Sequence, residues 1–265
     1  MNLSQYDDVN YIVDALIDGH KQIFESRMSG FYLYGSLVWG DFDVLCSDID
    51  TLCVITSEIT LEEIDKLRIM HEKIATEKPA WRDRVEVHYA SLNGLKNFRK
   101  SSFKMGNISP GEPLHIIDAG PEWIDEWYCV QEYAITLFGI DKADVIPHIE
   151  KYEFIQTICG YACSFRERIR DSKNSCYSQA YAILTLCRAL YTVINGEQVS
   201  KIAAARWVME KFPEYSSVIN DALIWRHERN SSSRNSYETY ILAEKFVHDI
   251  LDRFFDSEQE CNHEV

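Results

Sequence analysis

Along the first 147 residues helical and strand-like hydrophobic periods alternate, and beyond them the pattern is almost wholly helical. Residues 6 to 26 place Val9, Ile12, Val13, Leu16, Ile17, Ile23 and Phe24 at near-helical spacing, which predicts an amphipathic helix that can lie on a sheet. Phe31 to Tyr34 reads as a short buried strand stopped by Gly35-Ser36, where a turn or short helix should follow. A second strand is expected from Ser47, becoming the alternating run Leu52, Val54. Thr60-Leu-Glu-Glu63 has the form of a capping box and opens a helix with the buried stripe Ile64, Leu67, His71 and Ile74, closed by Pro79. Arg84 to Tyr89 alternates strictly: Val85, Val87 and Tyr89 share one face, Glu86 and His88 the other.

From Lys96 to Gly120 the periodicity weakens and Gly, Pro, Ser and Asn accumulate, so a long loop is expected. Helix should resume from Glu122 to Phe138, with Trp127, Val130, Ala134 and Leu137 on its buried side, and end at Gly139. Pro147 marks the expected boundary between domains spanning 1–147 and 148–265. In the second, helices are expected at Ile155 to Ile169, Ser178 to Ile194, Ser200 to Phe212, Val218 to His227 and Tyr237 to Phe255. Together these would form a small bundle, with a frayed polar tail from Asp256.

Chemistry concentrates in FYLYGSLVWGDFDVLCSDIDTLCVI, residues 31 to 55. Asp48 and Asp50 stand two apart in the expected second strand, so their carboxylates point the same way and repel unless a cation such as magnesium lies between them. The Gly35-Ser36 turn can offer unhindered N–H groups and a hydroxyl to a phosphate. Should the Arg84–Tyr89 strand pair beside that of Asp48, Glu86 joins the metal site as a third carboxylate.

Composition narrows the field. The chain has 265 residues, 46% of them apolar, enough for a full core. It has no apolar run long enough to span a membrane, and its first ten residues are too polar for a signal peptide, so a cytoplasmic location is expected. The eight cysteines are scattered without a CxxC pair, which suits buried reduced thiols. A net charge of −15 repels nucleic acid and anionic membranes and attracts cationic ligands. No nucleic-acid or membrane partner is therefore expected.

Gly-Ser, about ten residues, then Ser-Asp-Ile-Asp resembles the signature of the nucleotidyltransferase superfamily related to DNA polymerase β. Over nearly its whole length the chain is similar to the streptomycin/spectinomycin (aminoglycoside) adenylyltransferases, most clearly in ILTLCRALYTVINGEQVSKIAAARWVMEKFP, residues 183 to 213. The resemblance implies an α/β polymerase β-like nucleotidyltransferase domain with a mixed sheet, followed by an all-α helical bundle, the two together binding ATP and antibiotic. By the same resemblance Gly35 and Ser36 belong to the phosphate-binding turn, Asp48 and Asp50 are metal carboxylates, and Glu86 is the catalytic base beside the metal. Arg188 and Lys201 correspond to basic residues on the ATP phosphates, and Trp225 to an aromatic residue near the nucleotide. The implied reaction is magnesium-dependent transfer of AMP from ATP to a hydroxyl of an aminoglycoside or aminocyclitol, releasing pyrophosphate. The departures lie on the acceptor side. Where family members carry Asp-Glu-Arg-Asn this chain has Ser178-Gln179-Ala180-Tyr181, and a family tryptophan and aspartate correspond to Ile169 and Asn174. A different small-molecule or protein hydroxyl is therefore the alternative acceptor. A monomer is expected, although the sequence does not itself set the oligomeric state.

Overall fold

The computed structural model describes residues 3–228 and 236–255. It divides into two units, Met1–Ile149 and Glu150–Val265. The expected polar tail and Cys261 lie outside the described residues.

The first unit is built on a six-stranded sheet. Its strands are β1 (Met28–Tyr34), β2 (Ile49–Ile55), β3 (Val85–Ser91), β4 (Phe103–Ser109), β5 (Glu112–Ala119) and β6 (Ile135–Gly139), arranged β5-β4-β3-β2-β1-β6. The sheet is mixed: β2 and β3 run parallel, and every other neighbouring pair is antiparallel. Around the strands stand helices α1 (Asp7–Phe24), α2 (Ser36–Trp39), α3 (Leu61–Glu77), α4 (Leu92–Asn97), α5 (Ile124–Tyr133) and α6 (Lys142–Val145). Period-two alternation assigns the sheet faces. Phe31, Leu33, Ile49, Cys53, Val85, Val87 and Tyr89 form one core with Val9, Ile12 and Leu16 of α1 and Ile64 and Leu67 of α3. The capping box forms as expected: Thr60 Oγ1 accepts from the Glu63 amide at 3.2 Å, and the Glu63 carboxylate accepts from the Thr60 amide at 2.9 Å.

Three expectations are corrected in this unit. The segment 96–120 contains the β4–β5 hairpin rather than a long loop. Only Leu114 and Ala119 of β5 are buried, which erases the alternation; the signal that marks the hairpin is the turn Pro110-Gly111, with Gly111 at φ 86°. The helix expected to Phe138 ends at Tyr133, and Ile135–Gly139 becomes edge strand β6 against β1. Val130, Ala134 and Leu137 are spaced four and three apart, so a half-exposed strand continued the helical period by coincidence. The strand of the aspartates begins at Ile49, which places Asp48 just before it.

The second unit comprises α7 (Lys151–Arg168), α8 (Cys176–Asn195), α9 (Lys201–Lys211), α10 (Ser216–Trp225) and α11 (Ser236–Phe254). Helix α8 is the centre: α7, α9, α10 and α11 all pack on it. It buries residues around most of its circumference, Ile183, Leu184, Leu186, Cys187 and Leu190 among them, as a helix enclosed by others must. Ser175 caps its start by accepting from the Ser178 amide, and Gly196 in the left-handed conformation, φ 69°, ends it. The cysteines are free thiols among the described residues, but Cys163 is exposed rather than buried.

Candidate active site

The unit 1 site is fixed by register. On β2 and β3, Asp50 is the direct parallel partner of Glu86, and on β1 and β2 Tyr34 is the partner of Asp50. All three side chains lie on the face opposite the α1/α3 core, because each is offset by one residue from a core position. Gly35 follows Tyr34 with φ 72° and ψ −150°, a conformation essentially reserved for glycine. A Cβ there would fall 1.9 Å from Asp50 Oδ2, so the missing side chain is the space in which the Asp50 carboxylate lies. Ser36 opens the short helix α2. Asp48 and Asp50 are both partly exposed, as groups that meet a ligand must be.

Glu86 was expected beside the aspartates, but its surroundings were not. His88, which the alternation places on the face of Glu86, is buried beneath α5, with ring centroids 5.0 Å from Trp123 and 6.3 Å from Trp127. Its Nδ1 lies 2.8 Å from Asn107 Oδ1, which makes Nδ1 the donor. Nε2 comes within 3.3 Å of Glu86 Oε1 without hydrogen-bond alignment. Burial pulls the His88 pKa down, but Glu86, Glu126 and Asn107 outweigh it, and the net direction is upward. The Tyr34 hydroxyl is buried without a hydrogen-bond partner. Burial, then the charges of Glu126, Glu86 and Asp50, push its pKa well above the ordinary phenol value. Glu126 on α5 therefore acts on the same spot as the two strand carboxylates. Sequence reasoning passed over it, since it lies in an ordinary first helical turn and only the fold turns it to this face.

Hard oxygen donors in this number suit magnesium better than a softer metal. The ligand atoms of Asp48, Asp50 and Glu86 are not gathered within 4.8 Å of one another among the described residues.

In unit 2, Arg188 projects from α8 partly exposed and pairs with no carboxylate among the described residues. Lys201 is the first residue of α9, where its charge opposes the helix dipole; a cation is tolerated there at a small cost, and an anion would be welcomed by both. Its ammonium stands 4.1 Å from the ring centroid of Tyr181. Trp225 is only 2% exposed, a buried residue of α10 whose indole Nε1 has no hydrogen-bond partner among the described residues.

Residues 144–253 match the family described as aminoglycoside adenylyltransferase, C-terminal domain. The chain is 25% identical over 232 residues to spectinomycin 9-adenylyltransferase of Campylobacter jejuni, covering 81% of this chain and 82% of the relative. With the spectinomycin 9-adenylyltransferase of Staphylococcus aureus it shares 25% identity over 203 residues, 73% of this chain and 75% of the other. The chain is thus similar to the aminoglycoside adenylyltransferases, with the family match spanning residues 144–253. Its fold is shared with the crystal structure of spectinomycin adenyltransferase AAD(9) from Enterococcus faecialis with ATP and spectinomycin. That likeness has a TM-score of 0.68 at 17% identity and covers 89% of this chain and 98% of the other. An α/β first unit with a mixed sheet and a helical second unit thus belong to a fold the two share, and no described helix is long and apolar enough to cross a membrane.

Proposed function

We propose that this protein is an ATP-dependent O-adenylyltransferase that transfers AMP to a hydroxyl of an aminoglycoside or aminocyclitol of the spectinomycin type, releasing pyrophosphate. The observation that carries the reading is the direct pairing of Asp50 with Glu86 beside a Gly35 whose missing Cβ makes room for the carboxylate. Asp48 and Asp50, with Glu86 beside them, would hold magnesium, which supplies neutralising charge for the triphosphate. Glu86 takes the proton of the attacking hydroxyl. The backbone at Gly35 and Ser36 receives phosphate oxygens, and Arg188 and Lys201 hold the β- and γ-phosphates as the leaving pyrophosphate gathers charge. Trp225 would be the aromatic residue near the nucleotide that the resemblance implies.

A second reading keeps the chemistry and changes the acceptor. Gln179 stands in the stretch where family members carry acids. It is buried, with Nε2 donating to Ser172 O at 3.0 Å and Ser236 O at 2.9 Å, so it serves the bundle rather than an acceptor's ammonium groups. Pyrophosphate release from Mg-ATP, measured with spectinomycin, streptomycin and uncharged polyols, tests both. Turnover with spectinomycin supports the first reading; turnover only with an uncharged acceptor supports the second; none with any acceptor refutes the transferase reading.

A further inference from the structure

Three arginines crowd the end of α7 and the turn after it, and two are accounted for. Arg166 pairs with Asp252 at 2.8 Å, and Arg170 pairs with Glu167. Arg168, exposed, has no carboxylate partner among the described residues. It lies instead over aromatic rings, its Cζ 4.7 Å from the centroid of Phe165 and 5.2 Å from that of Tyr161. The Tyr161 hydroxyl is 3.0 Å from the Tyr181 hydroxyl, and Lys201 stands over the Tyr181 ring. Arg188 and Arg168 both act on the Tyr181 hydroxyl, and no carboxylate is among the groups that do. Cations from α7, α8 and α9 thus converge on one tyrosine, in a chain where acids outnumber bases by 42 to 27. Chance surface charge would pair Arg168 as it pairs Arg166 and Arg170. The favourable helix C-terminus explains a cation in this turn, but not why this one pairs with no acid among the described residues and lies over aromatic rings instead.

We infer that Arg168, held by Tyr161 and Phe165, is a third cationic ligand of the triphosphate beside Arg188 and Lys201, gripping its pyrophosphate end. The inference rests on the reading of Arg188 and Lys201 as the phosphate ligands. A guanidinium resting over aromatic rings loses less freedom when it binds an anion, and its fork suits a phosphate edge. Of the hydrogen-bonded tyrosine hydroxyls, the one whose proton is not used within the pair adds a donor that carries no charge.

The test is titration calorimetry of Mg-ATP, magnesium pyrophosphate and AMP into the full chain, as wild type, Arg168→Ala, Arg168→Lys, Arg188→Ala and, as an outside control, Arg170→Ala. Arg168→Ala should weaken ATP and pyrophosphate by tenfold or more, leave AMP within twofold and raise KM for ATP rather than for the acceptor. Arg168→Lys should recover part of the loss, and Arg170→Ala should bind as wild type. If Arg188→Ala weakens ATP while Arg168→Ala does not, the inference falls and the phosphate site stands without it. If neither matters, the placement of ATP on this unit falls as well. A rise in acceptor KM alone would overturn the inference by assigning Arg168 to the acceptor. Since Arg168 is exposed, melting temperatures should be unchanged; a variant that melts early is replaced by Arg168→Gln, read in the same way.

Discussion

Two glycines flank α2 with similar positive φ, Gly35 at 72° and Gly40 at 79°, and they separate backbone strain from site geometry. Alanine at Gly40 meets nothing within 4 Å. Gly40 is in the left-handed helical region, so Gly40→Ala should cost only the strain of an L-residue there, about 1–2 kcal/mol. Alanine at Gly35 incurs strain of roughly 1–3 kcal/mol in a region essentially limited to glycine. It also drives a methyl to 1.9 Å from Asp50 Oδ2, far inside contact distance. Asp50 is the flexible partner in that clash, so it should give way, moving by an ångström or more while β1 and β2 keep their register. Displacement of that size costs about a hundredfold in rate. Urea unfolding should therefore place the two variants within about 2 kcal/mol of each other, while pyrophosphate release falls at least about a hundredfold in Gly35→Ala and stays near wild type in Gly40→Ala. Equal activity in the two variants would refute the claim that Gly35 is there to seat Asp50.

Asp50→Asn should abolish transfer and leave the apoprotein as stable or slightly more so, because it relieves repulsion from Glu86 and Glu126; turnover at saturating magnesium would remove Asp50 from the metal site. Glu86→Gln should keep Mg-ATP binding and lose roughly a hundredfold or more in kcat, whereas a collapse of ATP affinity would show Glu86 to be chiefly a metal ligand. On the other sheet face, Tyr89 Oη lies 3.0 Å from His20 Nε2 and 2.6 Å from His71 Nε2. Burial pushes the His71 pKa from 6.5 down to about 4, and burial with the neighbouring His71 lowers that of His20. The unfolded chain then takes up protons first as pH falls, so stability is full above about pH 6.5 and His71 alone removes up to about 3 kcal/mol by pH 4. Unfolding free energies of wild type and His71→Gln at pH 7 and pH 4.5 check this: the wild type should lose more, and parallel losses would contradict it.

The alternating segments were legible because their faces differ: β3 declares Val85, Val87 and Tyr89 against Glu86, and the parallel register with β2 does the rest. What escaped were elements whose burial is incomplete. Edge strand β6 and the outer strand β5 bury too little to alternate, and half-exposed residues carry little pattern. Partners that reach the site from distant chain positions also escaped. Glu126 and Asn107 act on His88 only because α5 and β4 fold against that face. At Trp225 similarity suggested an aromatic near the nucleotide, and burial on α10 is what the fold adds.

The two faces of the sheet treat buried polar groups differently, and the difference argues for where the chemistry lies. Behind β3, Tyr89 satisfies both His20 and His71, leaving only His20 Nδ1 without a partner, as a structural core requires. In front, the Tyr34 hydroxyl, His88 Nε2 and Trp127 Nε1 are buried without hydrogen bonds, all within the surroundings of Asp50 and Glu86. Each such group costs about 1–3 kcal/mol in a finished fold. Phenylalanine at position 34 would fill the same space without that cost. Unpartnered polar groups gathered beside Asp50 and Glu86 sacrifice stability where a polar ligand can supply the missing partners, the pattern expected of a site rather than of a scaffold.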